Sequence, residues 1–191
     1  AGNTTRTALG AAARGGSLEE RLERAARAAS RPSEANGSLM RISPLAIFGR
    51  ARPGEAAGCA RQDSALTHPN PVCGESCAAY VRAIAAALDG ADAAACHRAA
   101  LEEARAGGER SVISALENAA ARPPTEMAGG KAGWVLVALQ NAFYRLLHAE
   151  SLEEALVDTA GCGGDTDTNA AICGALLGAV HGRDGIPSRW R

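Results

Sequence analysis

The sequence has few aromatic residues: two each of tryptophan, tyrosine and phenylalanine among 191 residues. Aromatic and β-branched side chains favour strands, so their scarcity argues against a β-sandwich or a β-barrel. Alanine, the strongest helix former, is abundant instead. The composition therefore predicts an all-α protein. Its helices must pack close together, because each alanine side chain buries little area.

The sequence also lacks an excess of charge of either sign and a long apolar run. Its 20 basic and 21 acidic residues give a net charge of −1, and the arginines are scattered. We therefore expect neither a nucleic-acid-binding surface nor a membrane-surface patch. The longest apolar stretch, 170–180, is too short to span a bilayer, and no signal peptide is visible. These observations predict a cytoplasmic protein with no nucleic-acid or membrane partner.

Close pairs of cysteines are absent as well. None of the six cysteines forms a Cys-x-x-Cys pair, and histidines at the short spacing of a zinc site are missing. We interpret the cysteines as free thiols in a reducing compartment. They are Cys59, Cys73, Cys77, Cys96, Cys162 and Cys173.

Capping signals and breaks by glycine or proline divide the chain into helices. Ser17 and Ser151 each begin a capping box, and no strand pattern, repeat or linker is visible. We predict one helical domain over residues 1–191. Apolar spacing in the segment 132–148 places Trp134 and Phe143 in the core. The predicted helices are 4–13, 17–29, 44–48, 53–66, 75–88, 91–106, 111–121, 132–148, 151–160 and 168–181.

The segment 161–169, Gly-Cys-Gly-Gly-Asp-Thr-Asp-Thr-Asn, carries the strongest chemical signal. Asp165 and Asp167 stand two residues apart, and Thr168 follows the second. At a loop-to-helix junction these side chains can converge, and their hard oxygen atoms suit Mg²⁺, Mn²⁺ or Ca²⁺. The alternative is that one aspartate caps the following helix and does nothing more.

The pattern Asp-x-Asp-x-Asn also opens an EF-hand calcium loop, which needs glycine at its sixth position and glutamate at its twelfth. Ala170 and Leu176 occupy those positions, so the EF-hand is excluded. Ala170, Gly174 and Gly178 recur every four residues and form a ridge of small side chains. Another helix can approach such a ridge closely and hold the acidic segment rigidly.

Several segments, in the same order, resemble the ADP-ribosylglycohydrolase family, which includes the enzyme that reactivates dinitrogenase reductase. The resemblance covers essentially the whole chain. The matching segments are the Gly-Asn-Thr-Thr turn at 2–5, the Asn-Gly-Ser-Leu-Met-Arg ligand loop at 36–41, the pair Thr67-His68, the acidic signature at 163–178, and Ile186-Pro187 followed by Trp190.

The resemblance implies a compact all-α domain that holds two divalent cations, Mg²⁺ or Mn²⁺, at the bottom of a cleft. Asp165, Asp167 and Thr168 would be metal ligands, and Asp165 is also the candidate catalytic residue. The cations would bind ribose hydroxyls beside the scissile bond, and a bound water would attack the anomeric carbon. The implied enzyme is an ADP-ribosyl hydrolase acting on N- or O-glycosidic bonds. Its partner would be an ADP-ribosylated protein, with arginine favoured over serine as the modified side chain.

The resemblance also implies a set of ADP-ribose contacts. The Asn-Gly-Ser sequence would lie along the ligand, and His68 would reach its adenine or ribose end. Met40 would support packing, and Arg41 would form an ion pair. Without the resemblance, these residues are typical of an ordinary turn and a loop histidine. The candidate ligand-binding residues are Gly2, Asn3, Ser33, Glu34, Asn36, Gly37, Ser38, Met40 and His68.

The amino-terminal third of the family is absent from this sequence, which begins at Ala1. That third carries a Thr-Asp-Asp metal motif, an upstream glutamate and an acidic residue just before the Gly-Asn-Thr-Thr turn. Half of the metal ligands and the general base would thus be missing: either they come from a separate chain or a cleaved fragment, or this chain is inactive alone. Apolar surface should be exposed where that segment packs. The alternative is a catalytically inactive ADP-ribose-binding or structural relative on the same fold.

Overall fold

A computed structural model describes residues 2–191, and over this range the chain is helical with no strand. The all-α prediction is confirmed. Ala35 and Trp134 form an isolated antiparallel bridge. The α-helices are α1 (Asn3–Ala12), α2 (Leu18–Ala28), α3 (Ser43–Phe48), α4 (Pro53–Ala65), α5 (Pro71–Leu88), α6 (Ala93–Gly107), α7 (Arg110–Ala119), α8 (Val135–His148), α9 (Leu152–Gly161) and α10 (Thr166–His181). Short 3₁₀ helices span Leu39–Arg41, Arg183–Gly185 and Ser188–Trp190.

Helix α5 is the centre of the fold and packs against α3, α4, α6, α8 and α10. It is buried on nearly every side, as expected of a helix that is apolar all round. The Tyr80 hydroxyl donates a 2.6 Å hydrogen bond to the Ile172 carbonyl of α10. This bond fixes α10, the helix that follows the acidic segment, against the core. Phe143 of α8 is fully buried, as predicted.

Both predicted capping boxes begin helices, but only the first is complete. The Ser17 hydroxyl accepts from the Glu20 N–H, and the Glu20 carboxylate accepts from the Ser17 N–H. The Ser151 hydroxyl likewise accepts from the N–H of Glu154. The Glu154 carboxylate, however, accepts from the N–H of Glu150 instead of Ser151.

Eight of the ten predicted helices have ends within two residues of those observed. Helix α5 is one exception, because it begins at Pro71 and not at residue 75. The Asn70 side chain accepts a 3.0 Å hydrogen bond from the Val72 N–H and so caps the helix. Proline suits the first helical position, because its missing N–H would have no helical partner there. Pro71 therefore begins the helix, although residues 71–74 were predicted to lie outside it.

Helix α8 is the other exception, because it begins at Val135 and not at residue 132. Trp134 is extended and bridges Ala35, which excludes it from the helix. Its side chain is half-buried at the edge of the core. Trp134 therefore packs against the core, as the prediction requires in part, but it is not among the fully buried residues. Its spacing fitted the helical pattern, but its backbone pairs with another segment.

Apolar side chains are exposed on α3. Phe48 is 92% exposed and Ile47 is 64% exposed. Next to them is an apolar cleft of about 320 Å³ that includes Leu45, Ala56 and Cys59 in its lining. None of the helices within residues 2–191 combines the length and apolarity that a bilayer span requires.

Candidate active site

Two glycines shape the acidic segment. Gly163 and Gly164 both have positive φ, +75° and +74°, which favours glycine. A Cβ atom at Gly164 would overlap the carbonyl oxygen of Met127, so the turn packs tightly on the loop before α8. The turn puts Asp165 at the N-cap position of α10 and Asp167 in its first turn. Both carboxylates therefore lie at one end of this helix, which begins two residues earlier than predicted.

Asn36 connects the ligand loop to the acidic segment. Its Nδ2 donates to Asp165 Oδ2 at 2.9 Å and to Asn169 Oδ1 at 3.3 Å. Its backbone N–H donates to the Gly133 carbonyl at 2.9 Å, and Asn169 Nδ2 donates to the Ala132 carbonyl at 3.2 Å. Three segments that are far apart in sequence thus meet around one buried asparagine.

The ligand loop is held from within the protein. The Asn36 carbonyl accepts a 3.1 Å hydrogen bond from the Met40 N–H, which closes one helical turn. Ser38 is fully buried, and its hydroxyl accepts a 2.9 Å hydrogen bond from Ser64 of α4. Leu39 is also buried, whereas Met40 is 47% exposed. The prediction that Met40 supports the packing is therefore wrong, because Leu39 provides that buried contact instead.

Arg41 forms the predicted ion pair, and its partner is Asp63 of α4. The guanidinium also donates to the Asp63 carbonyl at 2.9 Å and to Thr67 Oγ1 at 3.0 Å. Thr67 Oγ1 lies 2.8 Å from Nδ1 of His68, whose side chain is only 1% exposed. Burial, and then the charge of Arg41, lower the pKa of His68 to about 4. His68 is therefore a neutral imidazole near pH 7.

Gly37 allows three segments to approach one another closely. A Cβ atom at this position would lie 2.9 Å from Cε1 and 3.0 Å from Nε2 of His68. It would also lie 3.3 Å from Oγ1 of Thr5 in α1. The missing side chain thus lets the ligand loop touch both the Thr-His turn and the first turn of α1.

The amino-terminal turn lies next to the ligand loop. Thr4 Oγ1 is 3.5 Å from the hydroxyl of Ser33. Gly2 and Asn3 lead into α1 here and are exposed. The structure therefore brings the predicted turn at 2–5 to the same side of the protein as the predicted ligand loop.

A cleft of about 480 Å³ lies beside Glu34 and Trp134. The indole Nε1 of Trp134 donates to the Glu34 carboxylate, and Lys131 Nζ lies 4.7 Å from the centre of the indole ring. Gly133 also lines this cleft, and a Cβ atom there would be 3.4 Å from Asp165 Oδ2. Gly133, in the wall of the cleft, therefore lies close to Asp165 of the acidic segment.

The acidic segment fits part of a divalent-metal site. Asp165 is half-buried and Asp167 is exposed, and both offer the hard oxygen atoms that Mg²⁺ and Mn²⁺ prefer. Thr168 is nearly buried beside them. Within residues 2–191, however, no three histidine, cysteine, aspartate or glutamate side chains cluster closely enough to hold a metal. Because each such ion takes about six oxygen ligands, these residues supply a partial set.

A sequence model of the ADP-ribosylglycohydrolase family matches residues 1–191, the whole chain. The chain belongs to the ADP-ribosylglycohydrolase family. It is 25% identical over 155 residues to the ADP-ribosyl-[dinitrogen reductase] glycohydrolase of Rhodospirillum rubrum, covering 81% of this chain and 49% of that protein. It is 26% identical over 170 residues to the ADP-ribosylarginine hydrolase Tri1 of Pseudomonas putida (strain GB-1), covering 83% of this chain and 42% of that protein.

A solved structure described as an ADP-ribosylglycohydrolase-related protein complex shares the fold. Its TM-score with this chain is 0.82 at 26% sequence identity, covering 99% of this chain and 62% of that one. The chain thus spans about half the length of the curated ADP-ribosylglycohydrolase relatives that it matches.

The structure also brings residues to the candidate site of this ADP-ribosylglycohydrolase-family chain that were not predicted from the sequence. Asn169 was seen only as the end of a motif, yet it shares the amide of Asn36 with Asp165. Trp134 was assigned to the core, yet it lines the cleft. Neither carries a local signal, because both contacts join segments about 100 residues or more apart. Thr67 was noted only as part of a Thr-His pair, and its hydrogen bonds require the fold.

Proposed function

We propose that this chain forms the ADP-ribose-binding part of a hydrolase that removes ADP-ribose from modified protein side chains. The observation that carries the proposal is the bridge from Asn36 to Asp165, which joins the predicted ligand loop to the predicted metal ligands. Both relatives described above are named as hydrolases of ADP-ribosylated targets, and one is named for ADP-ribosylarginine. We therefore favour arginine as the modified side chain.

The cleft beside Trp134 suits the ADP-ribose ligand. It offers an aromatic side chain for stacking, and Gly133 in its wall lies close to Asp165. The ligand loop borders it, because Ala35 pairs with Trp134. Gly37 lets the loop backbone approach His68 and Thr5 closely, and backbone N–H groups of such a loop can donate to a phosphate. ADP-ribose would thus lie along the loop with its reacting ribose at the acidic segment.

Asp165, Asp167 and Thr168 would hold the divalent cations, Mg²⁺ or Mn²⁺. When bound, such cations orient a ribose diol and supply a water that ionises near neutral pH. The protein's own contribution is rigidity, because Asn36 fixes Asp165 and the glycine turn fixes the start of α10. The remaining ligands would come from a complementing segment, supplied as a separate chain or a longer form of this one.

The first test is calorimetric titration of this chain with ADP-ribose, with and without Mn²⁺ or Mg²⁺. We expect binding that is stronger with metal and weakened in Asp167→Asn. The matched control is Asp184→Asn, which makes the same change at a fully exposed position beyond the other end of α10. Equal binding by the two variants would remove the acidic segment from the proposed site.

The second test measures release of ADP-ribose from ADP-ribosylated arginine, with the complementing segment of a relative added in trans. We expect turnover that requires both the segment and the metal. The second candidate function is ADP-ribose binding without catalysis, which is favoured by the partial ligand set at Asp165 and Asp167. Tight binding without turnover, even by the complemented protein, would support that candidate and overturn the hydrolase.

A further inference from the structure

His68 lies at the end of a chain of hydrogen bonds that begins on helix α4. Asp63 of α4 pairs with Arg41, Arg41 donates to Thr67, and Thr67 touches the imidazole of His68. Thr67 is fully buried and His68 is nearly so. In such a buried site a hydroxyl or an imidazole N–H cannot donate to water. The direction of each hydrogen bond is therefore set by the neighbouring protein groups.

The first direction is set by Arg41. A guanidinium only donates hydrogen bonds and keeps its protons at all ordinary pH values. Thr67 Oγ1 must therefore accept the 3.0 Å bond from Arg41 Nη2. One lone pair of the hydroxyl is then occupied, and its single hydrogen needs an acceptor.

The second direction follows from the first. The atom at 2.8 Å from Thr67 Oγ1 is Nδ1 of His68. If Nδ1 carried a proton, it would donate to Thr67 and leave the buried hydroxyl hydrogen without this partner. If Nδ1 is bare, it accepts that hydrogen, and the Thr67 hydroxyl both accepts and donates a hydrogen bond. A buried donor without a partner is costly, so the bare Nδ1 is favoured.

We propose that Thr67, oriented by Arg41 and Asp63, is a positioning residue that fixes His68 as the tautomer protonated on Nε2. That nitrogen faces Gly37 of the ligand loop, with Thr5 Oγ1 close to the same point. The fixed N–H is then a donor for an acceptor oxygen of the ligand, such as a phosphate or ribose oxygen. This last step rests on the proposed function, whereas the tautomer itself does not.

The experiment is nitrogen-detected NMR of the imidazole rings in the ligand-free chain at pH 7, which distinguishes bare from protonated ring nitrogens. His68 is assigned by the loss of its signals in His68→Gln. We expect a bare Nδ1 and a protonated Nε2 for His68. His97 is the internal control, because its Nε2 lies 2.8 Å from the Leu116 carbonyl and must donate to it, independently of Thr67.

The decisive variants are Thr67→Val, which removes the hydroxyl at similar volume, and Thr67→Ser, which restores it. Thr67→Val should turn the His68 signals into those of a tautomer mixture and leave the His97 signals unchanged, which also reports that the fold persists. Thr67→Ser should retain the single tautomer. A protonated Nδ1 in the native chain, or an unchanged tautomer in Thr67→Val, would overturn the proposal.

If Thr67→Val does not fold, Arg41→Lys gives a second reading. Lysine keeps the charge but lacks the guanidinium fork, so it cannot hold both Asp63 and Thr67 in the same geometry. We expect loss of the single tautomer here too, and its retention would count against the proposal. Addition of ADP-ribose is a separate arm. If the native chain has the expected tautomer but no signal moves with ADP-ribose, the proposed function fails while the positioning role of Thr67 stands.

Discussion

The ligand loop and the acidic segment are both parts of the candidate site, but they differ in how far this chain completes them. In the ligand loop, the side chains of Asn36, Ser38 and Arg41 are all hydrogen-bonded to other segments. In the acidic segment, Asp167 is exposed and its carboxylate accepts from the N–H of the neighbouring Thr168. The side chains of the ligand loop are thus fixed by contacts within this chain, whereas the carboxylates of the acidic segment keep oxygen atoms available to bind a metal. Variants should therefore affect stability in the first region and metal binding in the second.

The largest effect should come from the one part of the acidic segment that is tightly packed. Gly164→Ala places a side chain at positive φ and drives its Cβ into the Met127 carbonyl. We expect the free energy of unfolding to fall by about 3 kcal/mol or more. Gly163→Ala is the matched control, because its φ is nearly the same but its Cβ would be 3.6 Å from Ala128. It should cost about 1–2 kcal/mol. Equal losses in urea unfolding would contradict this packing.

Acidification should lower the free energy of unfolding through protonation of His68, which lies against Gly37 of the ligand loop. Its pKa is lowered from 6.5 to about 4 in the folded protein, so the unfolded chain binds this proton first as the pH falls. The contribution of neutral His68 to the free energy of unfolding should therefore be complete above pH 6.5. It should be lost as the pH falls towards 4, by on the order of 3 kcal/mol in total. The measurement is urea unfolding across that range.

Carboxyl groups also titrate in this range, so the test is a difference between variants. His68→Gln should remove part of the pH dependence. His148→Gln, which changes an exposed histidine, is its control. The same slope in all three proteins would show that the His68 ring gains its proton without loss of stability.

Asn36→Ala should remove the side-chain hydrogen bonds that join the ligand loop to the acidic segment. It removes the amide that Asp165 and Asn169 share, and it leaves the half-buried acceptor of Asp165 and the buried acceptor of Asn169 without that partner. We expect a loss of about 1–3 kcal/mol in the free energy of unfolding. Asn118→Ala is the control, because Asn118 of α7 accepts an exposed hydrogen bond from Arg122, and it should change stability by less than about 0.5 kcal/mol. A similar small change in Asn36→Ala would mean that the bridge is energetically neutral.

The smallest effect on stability should come from Asp167→Asn. The side chain is exposed, and its main contribution is to the first turn of α10, so the loss should be below about 1 kcal/mol. Any rise in the melting temperature with Mn²⁺ should nevertheless disappear, because that rise requires metal bound to the folded chain. Thermal unfolding with and without Mn²⁺ measures both quantities. Retention of the Mn²⁺ effect would place the metal elsewhere.

The fold was largely predictable because its signals are local. Capping residues such as Ser17 and the periodic apolar side chains mark helices without reference to the rest of the chain. The two wrong boundaries have physical reasons. Pro71 can either break a helix or begin one, and the Asn70 cap decides between them. Trp134 fits the helical period, but its backbone pairs with Ala35 instead.

The residues themselves indicated the acidic segment of the candidate site, whereas the ligand loop was indicated only by the family resemblance. Nothing in the composition pairs Asn36 with Asp165, because their contact joins positions 129 residues apart. The residues around Arg41 show the same limit. Its ion pair was expected, but the partner Asp63 and the bond to Thr67 depend on how α4 lies beside the loop.

Trp134 can serve as an intrinsic fluorescence probe of the cleft that it lines. The sequence has only two tryptophans, and the other, Trp190, is 44% exposed near the carboxyl terminus. With Trp190 replaced by phenylalanine, all indole emission would come from a ring that lines the cleft and donates to Glu34. A molecule entering the cleft would change the polarity and quenching around that ring. Ligand screening could then follow fluorescence in unlabelled protein.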